Sequence, residues 1–158
     1  MNTAKAILII SFIFHFTTCS EKQEPISEND RKNINSLIEE NDKVHQFLIK
    51  TEDGLPSLEG IQTQISALEK SSNSELANLA KSMRVNLSKV AGKDQENDFE
   101  AYSLFSENLA ELLKKFPSDN SVNRFYCPMV KKTWVAKGRS VQNPYAPEMR
   151  DCGELILN

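Results

Sequence analysis

Four sulfur-bearing side chains near the C-terminus are the residues best suited to chemistry. Cys127-Pro128-Met129 carries a thiol and a thioether two residues apart, on one side of an extended strand. Met149-Arg150-Asp151-Cys152 carries a second pair three residues apart, on one face of a helical turn. Thiolates and thioethers are soft donors that favour Cu(I). Cys127, Met129, Met149 and Cys152 are therefore candidate ligands of a Cu(I) site.

A Cys127–Cys152 disulfide is the alternative use of the same residues, and spacing alone favours it. Closing a loop of this length stabilises a domain by about 3 kcal/mol in the loop-entropy view. Met129 and Met149 would then be ordinary core residues. Zinc fits less well, because methionine is a poor zinc ligand and no His or carboxylate is placed as a third donor.

Composition limits the class of protein. The 158 residues are 39% hydrophobic and 26% charged, which is typical of one folded domain. A net charge of -3 gives no electrostatic footprint for nucleic acid. With 2 His, no Gly-rich phosphate loop and no nucleophile beside a base, the sequence does not predict an enzyme.

The N-terminus is typical of a bacterial export signal. The apolar stretch Ala6–Phe16 is too short to cross a hydrocarbon core of about 30 Å, but it fits a signal peptide over residues 1–18. Cys19 follows it directly and resembles the lipidated cysteine of a lipobox. Residues 19–29 then form a lipid-anchored tether. We expect an exported protein held on a bacterial membrane, facing the periplasm.

The residue after Cys19 bears on which membrane carries the anchor. Ser20 stands where an aspartate commonly retains lipoproteins in the inner membrane, so the outer membrane is favoured.

Residues 30–116 read as a helical bundle. Apolar residues recur at helical spacing in four stretches, 30–51, 58–68, 76–90 and 99–116. Ser72, with Glu75 three residues later, is typical of a capping box at the start of the third helix. His45 reads as a partly exposed helix residue. The pattern predicts an all-α fold, an antiparallel bundle of three or four helices.

Residues 117–158 differ in character and read as a cap on that bundle. They hold four of the 6 prolines and the only tryptophan. The segment is too short and polar for a core of its own, so it must pack on the bundle or be tied across itself. We expect a short irregular cap with small strands near 123–126 and 133–136.

The ending of the chain resembles that of a bacterial domain family of unknown function. Members of that family are fused to, or occur beside, CusB-type periplasmic adaptors of copper and silver efflux pumps. The likeness rests on Cys127-Pro128-Met129, then Trp134, then Asn143-Pro144-Tyr145, then Met149-Arg150-Asp151-Cys152-Gly153. Val130 and Ala146-Pro147 depart from the family pattern.

Two functions follow as predictions. The resemblance implies metal handling, with Cu(I) at Cys127, Met129, Met149 and Cys152 and with an efflux-pump adaptor or another periplasmic protein as partner. The competing prediction is a non-catalytic protein-interaction module, closed by a Cys127–Cys152 disulfide and free of metal.

Overall fold

The computed structural model describes residues 25–52, 54–118 and 121–156. The predicted signal peptide (1–18), the lipidation site Cys19 and the first part of the tether lie outside these ranges. Within them, no helix combines the length and the apolar character needed to cross a bilayer.

Four α-helices come first in the described ranges: α1 (Glu28–Lys50), α2 (Glu59–Leu68), α3 (Ser74–Leu87) and α4 (Gln95–Lys115). Consecutive helices pack against each other. The apolar stripes predicted from spacing form the core, because Leu37, Leu68, Leu76 and Leu109 have no exposed surface.

Side-chain caps fix where the helices begin. The Ser27 hydroxyl accepts from the Asp30 amide while the Asp30 carboxylate accepts from the Ser27 amide, so a capping box starts α1. The box predicted at Ser72 is wrong. Asn73 caps α3 instead, because it directly precedes the helix and its side-chain oxygen accepts from the Leu76 amide at 2.9 Å.

The C-terminal region forms a small antiparallel sheet, so the all-α prediction and the irregular cap need correction. Its strands are β1 (Val122–Cys127), β2 (Lys132–Lys137) and β3 (Glu154–Ile156), in the order β2-β1-β3. The predicted strand pieces fall inside β1 and β2. The sequence pattern does not predict β3, which is three residues long and forms by pairing with β1.

Buried polar side chains join the sheet to the helices. Asn41 of α1 donates to the Val135 carbonyl of β2 at 2.9 Å and accepts from the Tyr102 hydroxyl of α4 at 2.8 Å. The Ser103 hydroxyl accepts from the Thr133 amide at 2.8 Å. Burial raises the pKa of Tyr102, so the phenol stays a neutral donor. The outer edge of β2 is thus bonded to the bundle.

Candidate functional site

The sheet brings the two cysteines together. Cys127 ends β1, and Tyr126 pairs with Glu154 of β3, so Cys152 arrives beside Cys127. The two residues form a disulfide with Cα atoms 5.7 Å apart. Cys127 is fully buried, whereas Cys152 is only partly buried. Two of the four predicted site residues are therefore in direct contact.

Met129 lies on the turn that joins β1 to β2. Its side chain is 71% exposed, and Val85 is the only other large hydrophobic side chain that is exposed in the described ranges. Lys131, in the same turn, has φ 54°, so the chain reverses tightly here. The expectation that Met129 becomes a core residue in the disulfide form is wrong, because the turn holds it out in solvent.

Met149 shares a turn with Cys152. The Met149 carbonyl accepts from the Cys152 amide at 2.9 Å, after a short 3-10 helix (Pro147–Met149). Residues three apart in such a turn lie on the same side of it. Met149 is partly buried, as Cys152 is. The predicted pairing of these two residues along the chain is kept in the fold.

Arg150 fixes this turn to the bundle. Its guanidinium donates to the Asn143 carbonyl at 2.7 Å and to the Leu48 and Thr51 carbonyls at 2.8 and 3.2 Å. The last carbonyls of a helix lack partners within the helix and favour a cation. The Arg150 carbonyl in turn accepts from the Asn143 amide at 2.8 Å. The sequence pattern predicts no role for Arg150; its only signal is a basic residue between two sulfur residues.

Trp134 is the centre of an aromatic cluster at the interface between the sheet and the loop before Cys152. Its ring stacks on Phe125 at 5.5 Å and meets the edge of Tyr145 at 6.4 Å, and Tyr145 meets Phe99 at 5.4 Å. Gly153, directly after Cys152, has φ +153°, and a Cβ there would lie 2.5 Å from Trp134 Cη2. The position of the Trp134 ring therefore leaves room only for glycine at position 153.

Asn143 and Tyr145 shape the loop before the turn of residues 149–152, which we call the sulfur turn. The Asn143 side-chain oxygen accepts from the Tyr145 amide at 2.9 Å, and the Tyr145 hydroxyl donates to the Thr133 carbonyl at 2.8 Å. Burial raises the pKa of Tyr145, which keeps the phenol protonated as a donor. The Asn-Pro-Tyr segment thus ties the loop to β2.

Lys132 is the cation that lies opposite Cys127 in the β1–β2 register. Its side chain is only 4% exposed, and its Nζ lies 2.5 Å from Glu96 Oε1 and 3.7 Å from Glu100 Oε2. Opposite residues of an antiparallel pair have Cβ atoms about 5 Å apart on the same face. The stem of Lys132 is therefore a neighbour of Cys127, while its ammonium pairs with two solvated carboxylates.

His45 is buried, which corrects the prediction of a partly exposed residue. One turn after Asn41 on α1, it lies against the loop, and its Nε2 is 3.0 Å from the Gln142 carbonyl. Since a carbonyl only accepts, Nε2 carries the proton, and Nδ1 is buried without a partner. Burial lowers the pKa of His45 below 6.5, and Arg150 adds to this, while the Gln142 carbonyl and Asp42 oppose it.

Acidification is expected to destabilise the fold through His45. Because its pKa is lower in the folded state, the unfolded chain binds the extra proton, so stability falls as the pH drops below about 6.5. We expect a lower melting temperature at pH 5.5 than at pH 7.5. His45→Gln keeps a donor for Gln142 and should flatten this difference. The same pH dependence in both proteins would contradict the assignment.

The described ranges contain no metal site built from His, Cys, Asp and Glu alone. Three or more His, Cys, Asp or Glu side chains do not come together there as a metal-binding group. Thiolate and thioether sulfur together form a soft donor set that suits Cu(I).

Comparison of the chain with protein-family models, with curated proteins and with solved structures found no match.

Proposed function

We propose that this is an exported lipoprotein that handles Cu(I) at Cys127, Met129, Met149 and Cys152. The observation that supports the proposal is the meeting of Cys127 and Cys152, with Cα atoms 5.7 Å apart. A methionine follows Cys127 by two residues, and another precedes Cys152 by three. In this proposal an antiparallel helical bundle is the scaffold, and the sheet carries the donors. The protein has no catalytic role.

Exposure of Met129 favours metal over a purely structural ending. A side chain that is 71% exposed contributes little to a core, and Met129 is the thioether that follows Cys127 by two residues. Met149 has the matching relation to Cys152. Two thiolates and one or two thioethers form a soft set for Cu(I).

Reduction of the disulfide must precede metal binding. The ligand is the thiolate, and the disulfide must gain two electrons to give two thiolates. The oxidised and the metal-binding forms are therefore mutually exclusive.

Reduced protein is expected to bind one Cu(I) in competition with a chromogenic chelator, under argon. Cys152→Ser should weaken binding by more than about 100-fold, and Met149→Leu on the order of tenfold, because leucine keeps the volume and removes the donor. Met83→Leu is the matched control, since Met83 is fully buried in α3. Equally poor competition by the wild type and Cys152→Ser would reject the metal function.

A disulfide-closed interaction module is the second candidate. The Cys127–Cys152 bond favours it, as does the packing of Trp134 and Gly153, which needs no metal. In this alternative the disulfide stabilises the ending, and a surface of the bundle contacts a protein partner. The result that rejects Cu(I) binding selects this candidate.

The membrane and pump associations belong to the same proposal. The signal-like segment before Cys19 supports a lipid anchor on a bacterial membrane, with the outer membrane favoured by Ser20. The likeness of the ending to domains found with CusB-type adaptors supports a partner in copper or silver efflux. The sulfur turn is bonded through Arg150 to the C-terminal end of α1, which is the end away from the tether.

Lipidation at Cys19 is expected to be visible directly. Cells that express the chain and are fed a radioactive fatty acid should label the wild type, whereas Cys19→Ser should carry no label. Ser20→Ala is the control, because it alters the neighbouring residue and keeps the thiol. Equal labelling of all three chains, or of none, would contradict the anchor.

A further inference from the structure

The two cysteines of the disulfide differ in access to solvent. Cys127 has no exposed surface, because it ends the central strand of the sheet. Cys152 is partly buried, on the turn before β3. A thiolate that attacks a disulfide must reach one sulfur in line, so access decides which sulfur reacts.

We infer that Cys152 is the sulfur through which the pair exchanges with the dithiol of a partner protein. A partner thiolate attacks Sγ of Cys152, the bond to Cys127 breaks, and Cys127 leaves as a thiolate. The partner's second thiolate then attacks the mixed disulfide and releases the Cys152 thiolate. Two electrons pass to the pair, and the partner becomes the disulfide. The reverse sequence re-forms the Cys127–Cys152 bond.

The surroundings of Cys127 suit a leaving group. Lys132 lies opposite it in the β1–β2 register, and the lysine side chain is 4% exposed. Its two carboxylate partners, Glu96 and Glu100, have side chains 78% and 56% exposed, so water screens them. A cation carried by the residue opposite Cys127 favours a thiolate at that position.

The turn that carries Cys152 is held by contacts that do not involve sulfur. Arg150 bonds to the end of α1, Asn143 bonds to the Arg150 carbonyl, and β3 pairs with β1. Trp134 packs on Gly153 from the other side. Reduction therefore leaves the two sulfurs facing each other, and the pair can close again without refolding of the sheet.

The exchange reaction regulates the proposed binding of Cu(I). Only this consequence of the exchange rests on the proposed function. A dithiol partner that reduces the pair makes it competent to bind Cu(I), and re-oxidation ends that competence. The exchange reaction itself needs no metal.

The full chain with Cys19→Ser provides the test, with Ellman's reagent as a small disulfide probe under native conditions. With Cys127→Ser added, Cys152 should react at least about tenfold faster than Cys127 does when Cys152→Ser is added instead. Circular dichroism establishes that each variant is folded. Equal rates, or a faster Cys127, would overturn the inference.

Reduction of the wild-type pair by dithiothreitol is the second measurement and needs no cysteine variant. The rate should rise in proportion to dithiothreitol and stay flat at low urea. Lys132→Met, which removes the cation carried by the residue opposite Cys127, should slow it several-fold. A rate that levels off at the rate of global unfolding would overturn the inference. Failure of the reduced protein to bind Cu(I) would reject the proposed function and leave the exchange in place.

Discussion

Replacement of Trp134 by alanine is expected to lower the free energy of unfolding by about 3–5 kcal/mol. The indole is 1% exposed, stacks on Phe125 and touches the edge of Tyr145. Its loss leaves a cavity between β1, β2 and the loop before Cys152. Urea unfolding followed by far-ultraviolet circular dichroism measures the change without depending on the tryptophan that is removed.

Val85→Ala is the control for this experiment. Val85 is also a large hydrophobic residue, but it is 58% exposed on α3, so its truncation should change the free energy of unfolding by no more than about 0.5 kcal/mol. Similar losses in both variants would show that the aromatic cluster does not carry the stability assigned to it.

The helices could be predicted from the sequence because their signal is local. Apolar residues three and four apart mark the buried face of each helix, and the same residues line the core. Helix starts are predicted less well. The apolar stripe of α4 begins at Phe99, whereas the helix begins at Gln95, where the Asp94 side chain accepts from the Asn97 amide. Periodicity marks the first buried residue and not the cap.

The sheet and the buried polar residues could not be predicted in the same way. β3 has three residues and therefore no usable period, and its partner strand lies far back in the chain. Asn41 interrupts the apolar stripe of α1, yet it bonds to Val135, 94 residues away. His45 is buried because a loop 97 residues later covers it. Such roles exist only once the tertiary partners are in place.

The same distinction between local signals and tertiary partners applies to the candidate site. Two residue pairs were recognisable because each is close in sequence, Cys127 with Met129 and Met149 with Cys152. The role of Arg150 could not be predicted, because the carbonyls that it binds lie at the end of α1, far away in the sequence. The chemistry of the site is thus visible in the residue types, while the means of positioning it is visible only in the fold.

Gly153→Ala is expected to destabilise the fold by about 2–4 kcal/mol, since it adds backbone strain to a steric clash. The residue has φ +153°, and a Cβ would lie 2.5 Å from Trp134 Cη2 and 3.2 Å from Val141 Cγ1. Gly54→Ala is the matched control, because a Cβ there meets nothing within 4 Å. Its free energy of unfolding should change by less than about 1 kcal/mol, in the stabilising direction if at all.

A double-mutant cycle with Trp134→Phe separates the two causes. Phenylalanine keeps the stacking on Phe125 and removes the Cη2 atom that the new methyl group meets. In that background Gly153→Ala should cost only the backbone part, so the two substitutions should couple by more than about 0.5 kcal/mol. Strictly additive losses would mean that the indole does not press on Gly153. The glycine after Cys152 would then be required for its backbone angle alone, and the tryptophan would not position the reactive turn.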